Sequence, residues 1–159
     1  MSILVKTTPA PKARTKETVK ISIIYAAILT IMAVTQLFTF EDFLEHMQNL
    51  ALPLGEVLIY ALGPLIVIAE VFAIPFLLRM SLSPAFRYVS MFFGWFVAAI
   101  WLYISIWTAA FNTQVETVGF LGTLVNLPTG WWAVFMSITL VILATWSSWG
   151  LWPGKRSKK

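Results

Sequence analysis

Residues 55–79 read GEVLIYALGPLIVIAEVFAIPFLLR, an apolar run with Glu56 at its head, Glu70 inside it and Arg79 at its end. A helix needs about 20 residues, at ~1.5 Å each, to cross a ~30 Å hydrocarbon core. This run exceeds that length. Continuous apolarity over such a distance specifies a membrane helix, because a lone strand would leave its backbone groups unpaired in lipid. Working outward, three further stretches share the character: residues 21–40, 88–111 and 131–150. Each is bounded by charges, Pro or Gly. The expected architecture is all-α, an integral membrane four-helix bundle with an up-down path.

The composition agrees. Of 159 residues, 59% are hydrophobic and 11% charged, against about 25% charged in an ordinary soluble domain. Mean hydropathy is +0.83. A soluble globular enzyme, a disordered chain and a collagen-like fibre are excluded. With no Cys and one His, the chain has no disulfide, thiol redox centre, thiolate metal site or multi-histidine site of its own.

The net charge of +4 is a topology signal rather than a nucleic-acid signal. Lys6, Lys12, Arg14, Lys16 and Lys20 precede the first stretch, Arg79 and Arg87 bracket the turn between the second and third, and Lys155, Arg156, Lys158 and Lys159 follow the fourth. In an up-down path these regions share one side and hold all eleven basic residues. The opposite loops carry Glu41, Asp42, Glu45 and Glu116 and no Lys or Arg. Lys and Arg resist translocation, so both termini are expected to be cytoplasmic. The first stretch is longer than a secretory h-region and lacks a small-residue cleavage site after Phe40, so it is expected to be an uncleaved helix. Residues 1–20 and 151–159 are expected as basic cytoplasmic tails, the former mobile. They meet lipid headgroups rather than nucleic acid.

The first outer loop has a pattern of its own. Thr39-Phe40-Glu41-Asp42 resembles a capping box, with acids where a helix N-terminus favours them. Phe43, Leu44, Met47, Leu50 and Ala51 follow at helical spacing until Pro53. The spacing predicts a short amphipathic helix over about 41–51, lying at the outer interface. His46, beside Glu45, is expected to be a solvated histidine rather than half a metal site. The second outer loop, 112–130, is long for a helix connection. It mixes polar Gln114, Thr117, Thr123, Asn126 and Thr129 with apolar Val118, Phe120, Leu121, Leu124 and Val125. It is expected to pack back onto the bundle, bending at Gly119 and Gly122.

Glu70 demands an explanation. It lies fifteen residues from Gly55 and nine from Arg79, at a depth where a carboxylate costs roughly 2.5–3.5 kcal/mol on the mildest insertion scales. It must face the bundle interior, protonated, hydrogen-bonded or both. A ligand site, a proton relay and an interhelical clamp all fit. Pro64 and Pro75 flank it, each removing a backbone hydrogen bond. Glu56, Gly63 and Glu70 recur at sevens, close to one face, and Gly63 allows either a close helix or room for a ligand. At matching depth stand Thr30, Trp95, Trp101 and Thr145. These, with Gln36 and Glu56 as polar groups toward the outer side, are the candidate ligand-binding or buried polar residues. No catalytic or metal-ligating set is identified.

The third stretch is crowded with rings, from Tyr88 to Phe111, which suit a cavity for a flat or isoprenoid ligand but equally suit packing or lipid contact. Gly94-x-x-x-Ala98 and Ser105-x-x-x-Ala109 offer small faces to a neighbouring helix. Trp131, Trp132, Trp146, Trp149 and Trp152 match interfacial anchors.

From Gln36 to Arg87 the order of features resembles the DoxX/MauE group of small redox-associated membrane proteins. Members begin with an apolar helix that ends in a polar residue, often Lys. An aromatic and acidic segment follows, and a Pro then leads into a second helix with an acid near its inner end. Here Gln36-Leu37-Phe38-Thr39-Phe40-Glu41-Asp42-Phe43 stands for the first part, and Leu52-Pro53-Leu54, Pro64 and Ala69-Glu70-Val71-Phe72-Ala73-Ile74-Pro75 for the second. Gln36 takes the place of the Lys, so a charge pair between the first two helices is absent from the pattern.

The resemblance implies a non-catalytic accessory role in the bacterial cytoplasmic membrane: support of a redox enzyme, of its maturation, or of a quinone-linked pathway. The alternatives are a lipid or quinone binder with its pocket around Glu70, and a structural subunit of a larger membrane complex. A proton conduit ranks last, because three of the four stretches offer few polar residues along a path. No cofactor is expected beyond a quinone or lipid. The expected partners are membrane lipids and another membrane or redox protein, or a second copy of the chain. Catalysis by this chain alone is not expected.

Overall fold

The computed structural model describes residues 7–53, 55–111, 117–125 and 127–152, and of Glu56 the backbone alone. Gln114, Glu116, Asn126, the Glu56 side chain and the basic residues from 155 onward lie outside the described residues.

Five helices occur among the described residues: α1 (Lys16–Phe38), α2 (Phe40–Asn49), α3 (Glu56–Leu77), α4 (Pro84–Phe111) and α5 (Trp131–Gly150). Four of them, α1, α3, α4 and α5, are long and apolar enough to cross a membrane. The chain is an all-helical integral membrane protein. The spans form a closed ring in which α1 packs on α3, α3 on α4, α4 on α5 and α5 back on α1. Their outward faces carry bare apolar side chains such as Ile31, Val57, Phe92 and Phe135, the surface expected of helices solvated by lipid rather than water.

Local chemistry sets the helix ends. Thr15 caps α1, its hydroxyl accepting from the Thr18 N–H at 3.2 Å, so this helix starts before residue 21. Pro84 opens α4, where its missing N–H costs nothing, and Ser83 accepts from the Phe86 N–H at 3.3 Å. That helix too starts earlier than the apolar run. Inside α3, Pro75 breaks the backbone ladder, and α4 repairs it. Ser90 accepts from the Phe76 N–H at 3.1 Å and donates to the Phe72 carbonyl, the kind of neighbour-helix rescue that makes Pro tolerable in lipid. At the far end of the ring Gly150 crosses α1 so closely that a Cβ there would collide with Thr18.

The amphipathic segment is helical, as α2, but its start differs from the expected capping box. Thr39 makes no side-chain cap bond to α2. Its hydroxyl donates to the Thr35 carbonyl and accepts from the Thr123 N–H, both at 3.2 Å. The second connection competes successfully for the same oxygen, because Gly122 (φ 60°) brings that loop directly over the α1–α2 junction.

The N-terminal segment also differs from the expected mobile tail. Thr8 pairs with Leu82, and the Arg14 N–H donates to the Gly150 carbonyl at 3.1 Å. Arg87 reaches the carbonyls of Thr8 at 2.8 Å and Pro9 at 3.2 Å, while the Arg14 guanidinium lies 4.5 Å from the Trp149 ring centre. Guanidinium groups at the basic end have no carboxylate partner among the described residues, and an extended strap with two prolines supplies carbonyls that no helix has claimed. Residues 7–15 therefore lie across this end of the bundle.

Candidate functional site

The polar centre is assembled from three spans and a loop. Glu70 on α3 is wholly buried. Its Oε1 accepts from Gln36 Nε2 on α1 at 3.3 Å and from the Trp101 indole N–H on α4 at 3.2 Å. Gln36 Nε2 donates a second time, to the Phe120 carbonyl at 3.0 Å. The Phe120 ring lies on Trp101, with centroids 4.7 Å apart. One carboxyl thus links α1, α3, α4 and the second long connection. An Nε2 with two acceptors uses both amide hydrogens, and Trp101 contributes its single donor. Glu70 Oε2 and Gln36 Oε1 remain enclosed with no hydrogen-bond partner among the described residues.

The candidate residues divide. Glu70 and Trp101, expected at matching depth, come together, and Gln36, expected toward the outer side, joins them. Thr30 and Thr145 do not: each is exposed on the outer face of its helix and returns its hydroxyl to its own backbone, Thr30 to Ala26 at 2.8 Å and Thr145 to Val141 at 2.7 Å. Trp95 also points outward. Gly63 is buried, and the space above it is taken: a Cβ there would sit 2.6 Å from a Leu44 methyl and 3.6 Å from the Phe43 ring. Its role is to let α2 lie down on α3.

Phe120, Tyr25 and the Ser105–Ser137 bond escaped sequence reading, which took Ser105 only as part of a small-residue face. Phe120 stood in the loop as one apolar residue among several, and its contribution is a backbone carbonyl, which no side-chain pattern encodes. Tyr25, fully buried, donates to the Gly94 carbonyl at 2.7 Å and ties α1 to α4. The signal was Gly94 itself, which leaves its carbonyl open to a tyrosine. Ser105 and Ser137 share a hydrogen bond at 2.7 Å between α4 and α5, with Ser137 also donating to the Trp101 carbonyl at 3.1 Å.

His46 corrects the expectation of a solvated ring. The second connection closes over it at Gly119, where a Cβ would fall 2.8 Å from the imidazole, and Nε2 is enclosed without a partner. Burial holds this imidazole below its ordinary value, opposed less strongly by the Thr117 and Val118 backbone. Among the described residues no three His, Asp or Glu side chains gather as a metal-holding group.

Comparison with family models, with curated proteins and with solved structures gave no match. The chemistry of the site is therefore argued from its own geometry. A buried carboxyl with one oxygen doubly bonded and the other bare can clamp helices, and it can receive a donor that reaches Oε2.

Proposed function

We propose that the chain is a non-catalytic accessory protein of the bacterial cytoplasmic membrane, similar in role to the DoxX/MauE group, with both ends cytoplasmic. It supports a redox enzyme, its maturation or a quinone-linked pathway. The observation that carries this reading is the contact between Gln36 and Glu70. These are the two positions on which the resemblance turns, one closing the first span and one within the second. An amide–carboxyl bond replaces the ion pair that a Lys would have made there. The substitution preserves the link while sparing the bundle a buried charge pair, whose desolvation often offsets its attraction. The apolar outward faces and the segregated basic residues support a membrane partner and the stated orientation.

Affinity capture from native membranes in mild detergent, followed by mass spectrometry, tests the role. Co-purification of a redox enzyme or its maturation factor is expected, and recovery of the chain with no redox protein would overturn it. Impermeant labelling of a cysteine introduced at residue 159 tests orientation; labelling from outside intact cells would reverse it.

A second reading, a quinone or lipid headgroup seated at the polar centre, is favoured by the two bare oxygens beside the Trp101 and Phe120 rings. Glu70→Gln keeps size and hydrogen bonding while losing the acid. Under this reading it folds normally but loses co-extracted quinone. Equal quinone content in the variant and the wild-type protein removes the reading.

A further inference from the structure

The basic end holds a feature that the accessory role does not use. Between the α3–α4 turn, the N-terminal strap and the end of α5 lies a shallow, open cleft lined by Pro11, Phe76, Arg79, Leu82, Arg87 and Leu151 among others. Two guanidinium groups share it. Arg87 spends one nitrogen on strap and turn carbonyls. Arg79 makes a single long hydrogen bond, to the Pro11 carbonyl at 3.4 Å, and its Nε is enclosed without a partner. No carboxylate answers either: the one ion pair among the described residues is Lys20–Glu17, on the exposed start of α1.

Arg79 is also held at φ 58°. A side chain in this left-handed region is strained, and glycine is the residue that suits it. The turn therefore carries a cation where backbone chemistry favours no side chain at all. Strain retained at such a point directs attention to what the side chain does.

We propose that the cleft is a phosphate-binding site for the headgroup of an anionic membrane lipid, with Arg79 as its principal donor and Arg87 as its charged floor. A guanidinium offers a planar fork of N–H groups suited to phosphate oxygens, and basic pockets between membrane helices at a headgroup surface take anionic lipids in this way. The surroundings select a lipid over free phosphate. Met80, on the cleft wall, and Leu78 beside it are exposed apolar side chains, where an acyl chain would continue from the headgroup.

The test compares retention of phosphatidylglycerol and phosphatidylcholine by the full-length protein, purified in mild detergent from an equal mixture of the two and read by native mass spectrometry. Wild-type protein retains phosphatidylglycerol preferentially. Arg79→Gly reduces that retention about fivefold, the factor one cation contributes at an anionic surface. It leaves thermal stability equal or higher, because glycine relieves the positive φ. Lys20→Gln, a cation removed elsewhere on the same end, leaves retention unchanged. No preference in the wild-type protein, equal retention in Arg79→Gly, or an equal loss in Lys20→Gln would each overturn the site. Inorganic phosphate, added to the protein in phosphatidylcholine nanodiscs, separates the sources. Absence of a stability shift supports the lipid, whereas a shift that Arg79→Gly abolishes would overturn the lipid assignment in favour of free phosphate.

Discussion

The two ends of the bundle solve the problem of a charge-bearing group in opposite ways. Toward the acidic end, Glu70 is enclosed by side chains from other spans, and its partners Gln36 and Trp101 are neutral donors fixed by helix packing. At the basic end, Arg79 and Arg87 meet backbone carbonyls, mostly from a strap outside the ring, and remain at the edge of an open cleft. The first arrangement cannot change without disturbing several helices. The second can exchange a partner at little cost to the fold. A polar group enclosed by packed spans and a loop is thus built into the bundle, while one at the edge of the ring is left available.

The sharpest way to break this contrast is Trp101→Ala. It removes a fully buried ring and one of the two Glu70 donors, and should destabilise the protein by about 3–5 kcal/mol, as large-to-small aromatic substitutions in cores do. Thermal unfolding in detergent measures it. A loss no larger than that of a surface substitution would mean that the polar centre is not structural. Next in size is Glu70→Leu, which leaves the Trp101 N–H without an acceptor and should cost about 1–3 kcal/mol. Glu70→Gln should stay close to wild type in the same assay, and equal destabilisation by both would place the requirement on the acid rather than on the hydrogen bonds.

At the other end the effect should be local. Arg87→Gln releases the strap from its Thr8 and Pro9 bonds, so trypsin should cut after Lys12 or Arg14 several-fold faster while the unfolding midpoint falls less than in Trp101→Ala. A midpoint loss matching that of Trp101→Ala would erase the distinction between the two ends.

The smallest effect concerns His46. Its folded value lies below the ordinary 6.5, so between the two values the unfolded state binds more protons and stability rises with pH. Closure of the second connection over His46 should be unaffected above pH 6.5. It should weaken as pH falls below that point, until the folded value is passed. Protection factors of the Val118 to Gly122 amides, taken relative to the intrinsic exchange rate at each pH, should fall on acidification in the wild-type protein and not in His46→Asn. Protection independent of pH in both would show that the imidazole does not titrate against the loop.

How much of this was legible beforehand differs residue by residue. Glu70 was singled out by depth alone, since a carboxyl amid twenty apolar residues has few places to go. Gln36 was singled out by the order of features around it. Thr30, Thr145 and Trp95 were chosen at the same depth and face outward, because depth fixes height along a helix and says nothing about rotation around it. A threonine hydroxyl can satisfy itself on its own backbone four residues earlier, so its presence in a span imposes no inward orientation. Gly63 was read as a place of close helix approach or of room for a ligand; the group that approaches it, Leu44 of α2, comes from a segment whose docking no periodicity reports.

The sequence by itself determined the spans, the separate amphipathic helix and the segregation of basic from acidic ends, because transfer of apolar side chains and of charges into lipid is a property of each residue summed along the chain. Only the tertiary structure decided that Phe120 closes the polar centre with its carbonyl, that Ser90 mends the ladder broken by Pro75, and that the strap of residues 7–15 lies against Arg87. Those contacts join residues fourteen to eighty-four positions apart. Their partners are largely backbone groups, which every residue carries alike and which only the packing of one element on another can single out.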